Sequence, residues 1–195
     1  MAEVPSTFTL KRGQPAPSFE LPTAEGDAVS LADLSAGKRA TVVAFVCNHC
    51  PFVVHLAQHF GSFASEWSER GVQFIAISSN DVDNYPADSP EKMVTFAKAN
   101  GWDFPYLYDE SQDVAKAYAA ACTPDFYVFD SGLALTYAGQ YDDSRPGGRG
   151  GDLTGGDLAR ALESTLSSEQ VSEPWYPSTG CNIKWKPGHA PDYFG

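Results

Sequence analysis

Thr41-Val42-Val43-Ala44-Phe45-Val46-Cys47-Asn48-His49-Cys50-Pro51 is the stretch on which the fold turns. Across residues 40–46 nearly every side chain is apolar, β-branched or aromatic, which suits a strand buried on both faces. After Pro51 the period changes. Phe52, Leu56, Phe60, Phe63 and Trp67 recur at steps of four, four, three and four, so they form one apolar stripe on a helix ending near Arg70-Gly71. Two thiols therefore stand where a strand runs into a helix, and the free N–H groups of the first turn favour a thiolate there. The expectation is that Cys47 is the more exposed, nucleophilic sulfur. Cys50, one turn in, is placed to close a disulfide, and His49 adds positive charge between them. A structural disulfide, half of a zinc site and two idle thiols are the alternatives; the strand-CxxC-helix setting favours redox chemistry.

Outward from this stretch, residues 72–77 form a second buried run, so strand, helix and strand make a right-handed βαβ unit with parallel strands. Upstream, Ser18-Phe19-Glu20-Leu21 reads as a short edge strand, Glu25-Gly26-Asp27 as a turn, Val29 and Leu31 as a second short strand, and residues 34–37 as another turn. Downstream, Ser89-Pro90 starts a helix that turns Met93, Phe96 and Ala97 to the core and stops at Asn100-Gly101. Residues 104–108 read as a strand, and Asp109 caps a brief helix through Val114 and Tyr118. Residues 126–129 and 133–137 pair around the hairpin turn Asp130-Ser131-Gly132. Thr154 caps a last helix with Leu158, Leu162 and Leu166 on its apolar face.

Asp81, Asp83 and Asp88 do not form a calcium loop, because Pro86 falls where glycine is needed and Lys92 where the bidentate glutamate belongs. They read as solvated loop carboxylates. The glycine-rich residues 146–151 lack the Lys-Ser or Lys-Thr of a phosphate loop and read as flexible. Beyond Ser167 periodicity stops, yet Trp175, Tyr176, Cys181, Ile183, Trp185, Tyr193 and Phe194 follow. Disordered tails are poor in such groups, so residues 169–195 are expected to wrap as an irregular strap over a redox domain of residues 1–168.

The 195 residues suffice for one domain with a sizeable core. Twenty-five acidic against 13 basic residues give a net charge of -12, which disfavours nucleic acid and anionic membranes as partners. No apolar run reaches a membrane span, and residues 1–10 lack a leader's basic start and apolar core, so a cytoplasmic location is expected. Four cysteines are too few for a disulfide scaffold, and in a reducing compartment CxxC is catalytic or metal-binding.

The order β-α-β then ββα, with CxxC opening the first long helix and Thr123-Pro124 before the hairpin, resembles the thioredoxin fold. Gly13-Gln14-Pro15-Ala16-Pro17-Ser18-Phe19-Glu20-Leu21, the strand entering Cys50-Pro51, and residues 126–130 resemble its peroxiredoxin-like (redoxin, AhpC/TSA-like) branch. The tail Gly180-Cys181-Asn182-Ile183-Lys184-Trp185-Lys186-Pro187-Gly188 is similar to a narrower group of that branch carrying CxxC. The resemblance implies an α/β fold: a central mixed sheet flanked by helices, with an N-terminal hairpin extension and the C-terminal strap. It implies a thiol-disulfide oxidoreductase in which Cys47 attacks, Cys50 resolves, and a cis Pro124 presents the Thr123 backbone to an incoming chain. Its substrates would be proteins or small molecules carrying disulfides or thiols, served by an unidentified reductant, with no cofactor. Two positions depart from the family pattern. Thr41 stands where thioredoxins keep a buried aspartate. With Cys50 aligned as a peroxidatic cysteine, Cys47, Val43 and Pro124 occupy the positions of the peroxiredoxin threonine, proline and arginine, which disfavours fast use of peroxide. Thiol peroxidase chemistry at Cys50 or Cys47 is the alternative reading.

Cys122 lies near the CxxC by fold geometry, and Cys181 would too if the strap crosses that face. Each is either a relay for the disulfide or a buried, inert thiol. A reading of another class gathers Cys47, Cys50, His49, His55 and His59 into a copper or zinc site. The two helical histidines lie one and two turns beyond Cys50, and no second CxxC completes a tetrahedron, so no metal is expected.

Overall fold

The run at residues 40–46 is buried because its alternate side chains feed two separate cores. The computed structural model describes residues 3–194. Met1 and Ala2, which open the stretch read against a leader, and Gly195, the end of the tail, lie outside the described residues. The chain begins with β1 (Glu3–Pro5), a hairpin of β2 (Glu20–Pro22) and β3 (Ala28–Ser30), and α1 (Leu31–Ser35). It continues through β4 (Ala40–Phe45), α2 (Pro51–Ser68), β5 (Val72–Ser78), a 3-10 turn (Pro86–Asp88), α3 (Pro90–Ala99), β6 (Tyr106–Tyr108) and α4 (Asp113–Tyr118). The last elements are β7 (Cys122–Thr123), β8 (Asp125–Asp130), β9 (Leu135–Gly139), α5 (Gly156–Leu166) and β10 (Thr179–Asn182).

The main sheet runs β6-β5-β4-β8-β9, with β4, β5 and β6 parallel and β8 and β9 antiparallel to their neighbours. Val42, Ala44 and Val46 pack with α2, α3 and α5 on one face. Val43 and Phe45 pack with Leu31, Ala115 and Tyr118 on the other. This is the thioredoxin-like α/β arrangement the sequence implies. Phe60 anchors the α2 side, meeting Phe74, Trp102, Phe104, Phe126 and Tyr141 edge-on.

Three expectations need correction. Leu31 does not extend the hairpin: Ser30 Oγ accepts the Asp33 N–H at 3.1 Å and donates to its carboxylate at 2.7 Å, so a serine N-cap starts a short helix there. The tail is not irregular throughout, because β10 pairs antiparallel with both β1 and β7. Hydrogen-bonding edges on both sides made it a strand, a partnership no local periodicity records. Among the loop carboxylates, Asp81 and Asp88 are buried rather than solvated.

Candidate redox site

Cys47 follows the end of β4, whereas Cys50 is the N-cap of α2, with Pro51 at the first helical position where its missing N–H costs nothing. The three-residue offset decides the electrostatics. Both sulfurs are buried, so the expectation of an exposed Cys47 is not met. The Cys47 thiol, burial, the Cys181 thiol, the Thr123 hydroxyl and the Val53 N–H act on Cys50; burial alone opposes its ionisation, and the net result lowers it to about 5. Cys47 is raised well above the ordinary thiol value, by its contact with Cys50, by burial and by the charge of Asp88. Both shifts run in favour of the residue that occupies the helix cap.

Thr123 is the hub. Its peptide bond to Pro124 is cis, as expected. Its carbonyl lies 3.2 Å from Cys50 Sγ and accepts from the thiol form, and its hydroxyl lies 3.5 Å from Cys47 Sγ. Cys181, in β10, is the residue opposite Thr123 in the strand register. Cys122 sits one residue earlier, opposite Asn182, with its Sγ 3.7 Å from the Pro124 carbonyl. Burial and the neighbouring Asp125 push the Cys122 thiol up. Burial likewise raises the Asp125 carboxyl to about 7, against hydrogen bonds from Ser178 and Tyr127.

His49 brings a partner that the sequence reading missed. Its Nδ1 lies 2.6 Å from Asp88 Oδ2, and Asp88 Oδ1 accepts the backbone N–H groups of Asn48 and His49 at 2.8 and 3.2 Å. Asn80 Nδ2 donates to Asp88 Oδ2 at 2.8 Å, while Asn80 Oδ1 accepts the Lys184 N–H from the tail, also at 2.8 Å. Asp88 raises the His49 imidazole despite burial. Burial opposes the Asp88 carboxylate, but His49, Asn80 and the Asn48 N–H outweigh it and hold Asp88 below its usual range. The only signal for Asp88 in the sequence was its place just before the cap of α3.

Neither His55 nor His59 joins the thiols: their rings bond Ser144 Oγ at 3.0 Å and Tyr141 Oη at 2.6 Å. Among the described residues the metal-capable group is Cys47, His49 and Asp88, whose ligand atoms lie within 4.8 Å of one another. Both Asp88 oxygens already accept two hydrogen bonds each, which makes the trio an ion pair beside a thiol and not an open ligand set.

All four partners of Asp88 are donors, so an asparagine there turns its amide toward at least one of them. Asp88→Asn is expected to cost about 2–4 kcal/mol in urea unfolding. The lowered Asp88 stabilises above its unfolded value near pH 4 and loses that contribution as pH falls through its folded value. The raised His49 stabilises below its unfolded value of about 6.5 and loses that as pH rises through its folded value. The cost is therefore largest at about pH 4–6.5 and shrinks toward pH 9; a pH-independent cost contradicts the ion pair.

The AhpC/TSA family model matches residues 12–138. A solved structure, an uncharacterized conserved protein from Geobacillus kaustophilus, superposes with a TM-score of 0.91 at 48% identity, covering 96% of this chain and 98% of that one. A Mycobacterium tuberculosis protein whose name assigns it provisionally to the peroxiredoxins is 34% identical over 114 residues, 58% of this chain and 67% of its own length. Thiol-disulfide oxidoreductase ResA of Halalkalibacterium halodurans is 27% identical over 115 residues, 58% of this chain and 60% of its own length. No helix among the described residues is long and apolar enough to cross a membrane. With the family model spanning well over half its length and a buried thiol pair at the cap of α2, the chain belongs to the AhpC/TSA family.

Proposed function

We propose that the protein is a thiol-disulfide oxidoreductase in which Cys50 attacks and Cys47 resolves, the reverse of the order the thioredoxin resemblance implies. The observation that carries this reading is the position of Cys50 at the cap of α2, beside the Cys47 and Cys181 thiols, where its ionisation is favoured. The Cys50 thiolate attacks one sulfur of a substrate disulfide, forming a mixed disulfide and expelling a thiolate. His49, protonated beside Asp88, supplies a proton to the leaving sulfur, and the neutral ring then takes the proton of Cys47. Cys47 displaces the second substrate sulfur and leaves a Cys47–Cys50 disulfide, so two electrons pass to the substrate.

The substrate class is small. Cys47 and Cys50 are 1% and 0% exposed, and the Thr123 edge that an extended chain would pair with is already held by β10. That burial also favours a second reading, a hydroperoxide as oxidant. Cys50 would become a sulfenic acid, releasing the alcohol or water, and Cys47 would condense with it and expel water. The Thr123 hydroxyl, 3.5 Å from Cys47 Sγ, is the nearest candidate for the donor missing at position 47.

The test is mass mapping of alkylated cysteines after equilibration in graded thiol buffers, with a parallel sample given a slight excess of peroxide. A Cys47–Cys50 disulfide is expected at a potential above the roughly -270 mV of thioredoxin, because the stabilised Cys50 thiolate favours the reduced form. A potential at or below that value overturns the assignment of a stabilised thiolate. Rapid conversion of Cys50 to a sulfenic acid while the pair resists thiol buffers selects the peroxidase reading.

A further inference from the structure

The structure separates the two remaining cysteines by face. In the antiparallel pair of β10 with β7, Cys181 stands opposite Thr123 and Asn182 opposite Cys122. Directly opposed residues project to the same side of a sheet, and successive residues to opposite sides. Thr123 turns its hydroxyl to Cys47, so Cys181 projects toward the site while Cys122 projects away. Cys181 accordingly joins Cys47 and Cys50 in one buried cluster, and Cys122 does not. Gly180 secures this register, because it packs so closely on Thr123 that any side chain would collide with the Thr123 carbonyl.

We propose that Cys181 is a second resolving thiol, which attacks a mixed disulfide on Cys50 from the β10 side and closes a Cys50–Cys181 disulfide. The inference rests on the reading of Cys50 as the attacking sulfur. In the step itself the Cys181 thiol gives its proton to solvent and its thiolate displaces the substrate sulfur from Cys50. The substrate disulfide has then been reduced to two thiolates by one electron each from Cys50 and Cys181. Burial and Cys50 hold the free Cys181 thiol up at about 12, so it waits protonated until the Cys50 charge is consumed in the mixed disulfide. Contact with Cys50 makes this step local, whereas Cys122 projects from the other side of the strand and lies outside that cluster.

The test uses 5,5′-dithiobis(2-nitrobenzoate) on two full-length variants, C47S/C122S and C47S/C122S/C181S, followed by mass mapping without reduction. In C47S/C122S the aryl adduct on Cys50 is expected to be transient, giving way to a Cys50–Cys181 crosslinked peptide. In the triple variant the adduct should persist at least about tenfold longer. Substituting alanine for serine at 181 in the triple variant guards against a folding artefact and should give the same persistence. Equal adduct lifetimes with and without Cys181 overturn the proposal and leave the Cys50 reading standing. Failure of Cys50 to form an adduct in any variant overturns both.

Discussion

Cys50→Ser is expected to lower turnover of a small aromatic disulfide by about 10³-fold or more at pH 7, whereas Cys47→Ser retains a measurable fraction through Cys181. The thiolate fraction does not by itself set this asymmetry. At pH 7 a thiol of pKa about 5 is almost fully ionised and one above 9 is ionised below about 1%, but the weaker nucleophilicity of an acidic thiolate returns much of that advantage. What separates the sulfurs is the shape of the pH profile. Attack by Cys50 rises through about pH 5 and is flat from pH 6 to 8, while attack by Cys47 would climb about tenfold per unit across the same range. Stopped-flow rates of the first step on the parent, where the Cys47 thiol still supports Cys50, should show the flat profile, and on Cys50→Ser only a slow, climbing residue. A climbing profile in the parent, or a flat one in Cys50→Ser, restores Cys47 as the attacking sulfur.

The same contrast shows where the sequence was legible. The strand at 40–46 and the stripe from Phe52 to Trp67 announce themselves because burial on one or two faces leaves a period that the chain carries locally. Which of the two cysteines caps the helix was not legible at that resolution. A three-residue difference in which one occupies the cap determines which N–H groups it meets, and periodicity locates helix starts less finely than that. Asp88 was invisible for another reason. Its loop is polar and short of apolar residues, as exposed loops are, yet the carboxylate is buried by the backbone N–H groups of residues 48 and 49 from across the fold. Cys181 lay between. The aromatic content of the tail foretold that it packs, but only the pairing with Thr123 shows which thiol it delivers to the site.

Gly180→Ala should expose how firmly that delivery depends on one missing methyl group. A Cβ at this position would collide with the Thr123 carbonyl oxygen and stand 2.7 Å from its carbon and 3.2 Å from the Pro124 nitrogen. These are backbone atoms flanking a cis peptide and cannot swing aside as a flexible side chain can. The strand itself must yield. Lifting β10 from β7 gives up the Cys181–Thr123 and Asn182–Cys122 pairings and separates Cys181 from Cys50. An overpacked, well-ordered site costs about 1–3 kcal/mol, and the lost pairing raises the expected total to about 2–4 kcal/mol in urea unfolding. Gly132→Ala is the matched control: its Cβ would meet only Asp130 Oδ1 at 3.4 Å, so stability should change by less than about 0.5 kcal/mol. Alkylation of Cys181 under native conditions should accelerate in Gly180→Ala and not in the control, because the thiol is 3% exposed only while β10 is seated. If Gly180→Ala unfolds like the parent and keeps Cys181 protected, β10 accommodates the methyl without leaving the site, and the tight register is not what holds the third thiol against Cys50.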